Sequence, residues 1–120
     1  MRNKIFIIAI LSLVCPGIVC AECSDAVSNG DDAYTYARRA YNESSFDEAQ
    51  NYARQAKNAA DDAKSAADDC NCDEAADEFD NSYTYARRAY NAGDLSELRD
   101  YARKAMRAAE AGKEASENCR

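Results

Sequence analysis

The sequence predicts an all-α fold: two tandem, disulfide-clamped antiparallel αα-hairpins with alanine-rich seams, packed as a four-helix array. Three observations predict it. The chain repeats itself 49 positions on: YTYARRAYN stands at 34–42 and again at 83–91, and 22 of the 48 positions that align 23–70 with 72–119 are identical. Small residues recur at alternating three- and four-residue spacing through both copies. Cysteines mark both ends of each copy, at Cys23, Cys70, Cys72 and Cys119. A duplication of this length makes one copy the structural unit, which divides the chain into 1–21, a hairpin over 22–70 and a second over 71–120.

Residues 1–21 read as a secretory signal peptide. Arg2 and Lys4 give a positive start, 5–14 is apolar apart from Ser12, and Pro16 and Gly17 are expected to break the helix before the small residues around Ala21. The apolar run is too short to span a bilayer, so no stable membrane insertion is expected once it is cut. Cleavage after Ala21 would leave four of the six cysteines, an even set suited to disulfides in an oxidising compartment, periplasmic or extracellular. It would also remove Arg2 and Lys4, leaving 13 basic against 22 acidic side chains, a net −9. A charge of that sign opposes binding to nucleic acid or anionic lipid.

In copy one the small residues of the first helix are Cys23, Ala26, Gly30, Ala33, Ala37, Ala40 and Ser44. Those of the second are Ala49, Ala53, Ala56, Ala60, Ala63, Ala67 and Cys70. Copy two has Ala75, Ser82, Ala86, Ala89 and Gly93, then Leu98, Ala102, Ala105, Ala109, Gly112, Ser116 and Cys119. Three-four spacing places each set on one stripe of a helix, and alanine has the best intrinsic helix propensity, so pattern and propensity agree. Ser45 with Glu48, and Asp94 with Glu97, have capping-box spacing at the start of each second helix. Gly93 suits the left-handed residue that ends a helix. Asn29-Gly30 is expected to kink the first helix or delay its start, since copy two has Glu78-Phe79 there.

Connections this short make antiparallel neighbours. Four cysteines allow three connectivities. The midpoint of 23 and 70 is 46.5 and that of 72 and 119 is 95.5, both in the turns, so Cys23–Cys70 and Cys72–Cys119 would each close a hairpin at its open end. Cys70-Asn71-Cys72 is then two structural half-cystines, not a redox or metal pair. All eight tyrosines fall in paired positions flanking the seams, where they can fill the groove between hairpins or remain as a recognition stripe.

The stretch 89–106, AYNAGDLSELRDYARKAM, resembles the turn and second helix of a tetratricopeptide repeat. Ala37, Ala49 and Ala56 in copy one, and Ala86 and Ala105 in copy two, stand where that family prefers small residues, with Leu98 departing. The resemblance covers about 25 residues per copy, against a family period of 34, and implies a protein-binding scaffold.

No enzyme is expected. The chain has no histidine, which removes the commonest general base and nitrogen ligand, and it carries no phosphate loop, nucleophile elbow or ordered calcium loop. No cofactor or metal is called for. Asp25, Asp68, Asp69, Asp73, Glu74, Asp77, Glu78 and Glu117 gather toward the cysteine end as a solvated acidic rim. Arg38-Arg39 and Arg87-Arg88 stand beside the tyrosines, with Arg54 and Arg103 on the second helices; pairing of these arginines with the surplus acids is the expectation. Beside it stands a functional one. Tyr34, Arg38, Arg39 and Tyr41, with Tyr83, Arg87, Arg88 and Tyr90, form a duplicated contact surface for an unknown, acidic or carboxylate-bearing protein partner. The chain thus reads as a secreted, non-enzymatic helical repeat module that mediates protein–protein interaction or spacing in the cell envelope. Two alternatives stand: a self-associating structural protein that builds oligomers or fibres, and an acidic, alanine-rich stress-protective chain.

Overall fold

Alanine at every third or fourth position lets helix backbones approach closely, and the computed structural model has the bundle this implies. It describes residues 5–119, with side chains over 23–119. Four α-helices follow one another: α1 Ile5–Asn42, α2 Phe46–Asp69, α3 Asp73–Tyr90 and α4 Leu95–Glu117, with no strand among the described residues. Each helix packs on the next and α4 returns to α1, while α1 with α3 and α2 with α4 face one another across the diagonals. Disulfides join Cys23 to Cys70, with Cα atoms 5.5 Å apart, and Cys72 to Cys119, with Cα atoms 6.0 Å apart, so each hairpin is clamped at its open end.

The interior is a stack of thin layers. At the cysteine end Ala26, Ala63, Ala67, Ala75 and Ala76 surround Phe79 and three of the cysteines. Next come Ala33, Ala60 and Ala109, then Ala37, Ala56, Ala86 and Ala105. At the turn end Leu98 packs among Ala40, Ala49, Ala53, Ala89, Ala92 and Ala102. Two buried hydroxyls are satisfied: Ser82 Oγ donates to the Ala105 carbonyl at 3.0 Å and Ser116 Oγ to that of Gly112 at 2.8 Å. The seam does not reach its expected limits at the turns, because Ser44 and Gly93 are exposed.

Asn29-Gly30 neither interrupts α1 nor delays its start, since the helix is continuous through both residues. Gly30 instead makes room. A Cβ there would sit 2.7 Å from Phe79 Cζ, and one at Gly112 would sit 2.5 Å from Phe79 Cε1. The one large side chain at this level thus occupies a slot cut by two glycines, and Gly30 is the position that aligns with Phe79 itself. Gly93 is not left-handed either, since no glycine among the described residues has positive φ. Asn91 caps α3 at φ −93°, and the Gly93 N–H donates to Glu97 Oε1 at 3.0 Å. That bond and Glu97 N–H to Asp94 Oδ1 at 2.8 Å cap α4; in α2 the Glu48 N–H donates to Ser45 Oγ at 3.4 Å. The expected signal peptide, 1–21, lies outside the residues with described side chains. The backbone of α1 passes through Pro16 and Gly17 without the expected break, since a proline deletes one helical hydrogen bond and can bend a helix without ending it.

A single residue reverses the chain between hairpins. Asn71 takes φ 61°, the Asn71 N–H donates to the Asp68 carbonyl at 3.1 Å and the Cys72 N–H to that of Ala67 at 2.9 Å. This is the Schellman arrangement with asparagine in glycine's usual place. A β-branched residue there is strained, so Asn71→Val should cost at least about 1 kcal/mol and Asn71→Gly close to nothing. Gly112→Ala and Gly30→Ala should each cost roughly 1–3 kcal/mol in urea unfolding through overpacking against Phe79. The exposed control Gly93→Ala should stay within about 0.5 kcal/mol. Equal tolerance at Gly112 and Gly93 would mean that Phe79 is not held in that slot.

Candidate interaction face

On α1 the buried stripe of Ala33, Ala37 and Ala40 leaves Tyr34 and Tyr36 at its two edges, because each neighbour on a helix is turned by about 100°. Arg38 follows Tyr34 by four residues and Arg39 follows Tyr36 by three, the spacings that bring side chains together on a helix. The guanidinium of Arg38 lies 5.9 Å from the Tyr34 ring centre, and that of Arg39 lies 5.8 Å from Tyr36 and 6.0 Å from Tyr52 of α2. On α3 the arrangement recurs, with Arg87 5.8 Å from Tyr83 and Arg88 6.0 Å from Tyr85. Lys57 covers Tyr90 at 5.5 Å, and Lys104 lies over both Tyr85 and Tyr101, at 5.8 and 5.6 Å.

The tyrosines close the grooves of the bundle. Tyr34 and Tyr83 pack on one alanine layer, Tyr36 and Tyr85 on the next, and Tyr52, Tyr90 and Tyr101 at the turn end. Seven are half-buried; Tyr41 is 36 % exposed. Arg38, Arg39, Arg87 and Arg88 are exposed above them. The structure therefore brings the residues singled out in the sequence together in two groups, one on α1 and one on α3, on helices that face each other across the diagonal and so present to opposite sides of the bundle. Equivalent residues tie the turn ends of the hairpins: Gln50 Nε2 donates to the Tyr90 carbonyl at 3.2 Å, and Arg99 Nη2 to that of Glu43 at 3.0 Å.

The expected pairing of the arginines with acids is met at Arg103 and not at the other five. Ion pairs among the described residues are Lys64–Asp68 at 3.9 Å, Arg103–Asp100 at 3.8 Å and Lys113–Asp31 at 3.3 Å, and none involves Arg38, Arg39, Arg87 or Arg88. The cause is a segregation of charge along the bundle. The turn half, 34–59 and 83–108, holds ten Lys/Arg and six Asp/Glu, a net +4; the cysteine half, 23–33, 60–82 and 109–119, holds two and fifteen, a net −13. The surplus acids are therefore gathered at the other end of the molecule.

Two shallow clefts follow this division. One, about 320 Å³, lies beside Arg38, Arg39, Asn42, Glu43 and Tyr52. The other, about 550 Å³, lies at the Cys72–Cys119 bridge and is lined by Asp73, Glu74, Glu78 and Glu114. Among the described residues no group of three or more Cys, Asp or Glu side chains converges as metal ligands do, and no helix is long and apolar enough to cross a membrane. Fold and face together describe a disulfide-clamped, alanine-seamed four-helix bundle with two like arginine–tyrosine faces. No family model, no curated protein and no solved structure matches the chain.

Because the guanidinium groups are exposed, their contact with the rings stabilises the fold little. Arg38→Gln or Arg87→Gln should shift urea unfolding by less than about 1 kcal/mol. A larger loss would make these arginines structural.

Proposed function

We propose that the protein is a secreted, non-enzymatic helical module that mediates protein–protein interaction or spacing in the cell envelope, with the arginine–tyrosine faces as its contact surface. The observation that carries this reading is the set of four exposed arginines which, in a chain with surplus acid, make no ion pair among the described residues. Each lies over a tyrosine ring that limits its motion, so little side-chain freedom is lost on binding. An arginine so held presents a planar fork of donors that suits a carboxylate. The partner is therefore acidic or carboxylate-bearing. Secretion is supported by the leader-like composition of 1–21 and by two disulfides, which persist in oxidising compartments. A protein-binding role also accords with the tetratricopeptide-like stretch at 89–106.

A soluble polyglutamate peptide is the direct probe. Titrated into the oxidised protein at low salt, it should bind, and replacing Arg38, Arg39, Arg87 and Arg88 together by glutamine should weaken binding at least about tenfold, with the melting temperature little changed. Equal binding by the variant would remove these arginines from the contact surface.

A further inference from the structure

We infer that the acidic partner of the α1 face is a second copy of this chain, bound antiparallel across the outer surface of α1 with its two-fold axis at Thr35. The inference rests on the arginine–tyrosine face as a contact surface and names what it contacts. Thr35 is two residues from both Ala33 and Ala37, so it projects about 200° away from the buried stripe and marks the middle of the outer face. Asp31 and Arg38 stand seven residues apart on one flank of Thr35, and Asp32 and Arg39 stand seven apart on the other. Seven residues of α-helix return to nearly the same side after a rise of about 10.5 Å. All four side chains are exposed.

An antiparallel copy rotated about an axis at Thr35 keeps each flank against the same flank. Arg38 then meets Asp31 of the second copy, Arg39 meets its Asp32, and the symmetry returns both contacts, making four charge pairs around one axis. A closed isologous dimer requires this kind of self-complementary patch. Thr35, which the buried seam does not require, then lies at the closest approach of the two copies. On α3 the pattern is incomplete: Asp80 and Arg87 keep the spacing, but Asn81 stands where α1 has Asp32. The α1 face is therefore the stronger of the two.

The segregation of charge supports the same orientation. An antiparallel pair lays each net +4 half along a net −13 half, whereas a parallel pair opposes like charges. Helix stability does not account for the segregation. The last turns of α2 and α4 contain no basic residue, and Asp68, Asp69, Glu114 and Glu117 sit at or near these C-terminal ends, where the macrodipole disfavours acids. Net negative charge repels two copies at long range, but at 0.15 M salt the screening length is about 8 Å and the facing residues dominate.

Asp32 and Arg39 give the cleanest test, since neither joins an ion pair among the described residues, whereas Asp31 holds Lys113. In sedimentation velocity at about 100 µM, the oxidised wild type should be dimeric at roughly 0.15 M salt and monomeric at roughly 1 M, where screening falls to about 3 Å. Arg39→Glu and Asp32→Arg should each be monomeric at the lower salt, and the double exchange Asp32→Arg with Arg39→Glu should restore the dimer, with circular dichroism verifying helicity throughout. A dimer that survives Arg39→Glu, or a helical double exchange that stays monomeric, overturns the inference. Polyglutamate separates the two readings. A monomeric wild type that binds it through the arginines overturns the dimer and leaves the contact surface standing. A monomeric wild type that does not bind it overturns both.

Discussion

Everything in this bundle depends on how little side chain lies between its helices. The buried stripe of α2 is alanine from Ala49 to Ala67, and it faces alanine on the adjoining helices. Such layers let backbones approach closely but remove little apolar area from water, and a methyl group contributes only about 0.8 kcal/mol. Among the residues with described side chains, two large apolar ones are fully buried, Phe79 and Leu98. Phe79 fits only because two helices give up a side chain for it, at Gly30 and Gly112. A core this thin benefits from bridges. Each disulfide joins residues 47 apart at the open end of a hairpin, and a loop of that size corresponds to about 4 kcal/mol of lost unfolded-state entropy.

The thin interior also determines the surface. With alanine inside, the grooves between helices must be closed from their edges, and the half-buried tyrosines do that. Their rings are then available to the next cation along the helix, which places Arg38, Arg39, Arg87 and Arg88 in fixed positions over aromatic faces. With most of the acids at the cysteine end, these four arginines form no ion pair among the described residues. The placing of the tyrosines, and of the arginines over them, follows from one choice of interior residue.

The seam, the turns and both disulfide pairings were legible in the sequence because each follows from helical spacing and the equidistance of cysteines from a turn. Three features were not. Asn29-Gly30 reads locally as a helix breaker, and only its place opposite Phe79, half the chain away, makes the glycine a packing residue. Gly93 reads as a helix terminator, but Asn91 and the Asp94–Glu97 box end one helix and begin the next without a left-handed glycine. The arginines read as partners for abundant acids because composition has no geometry. Once the hairpins fold, 23–33, 60–82 and 109–119 come to one end and carry the acid away from them. That segregation was latent in the order of residues and became visible when 34–59 and 83–108 were placed side by side.

The most direct measure of the central claim, that a thin alanine interior needs its two clamps, is the unfolding free energy of Cys23→Ser/Cys70→Ser and of Cys72→Ser/Cys119→Ser against the oxidised protein. Loss of either bridge should lower it by about 4 kcal/mol, with a fall in melting temperature of roughly 15–30 °C for a domain of this size. Unfolding curves unchanged by both pairs of substitutions would contradict it, because they would mean that the alanine layers hold the bundle together unaided.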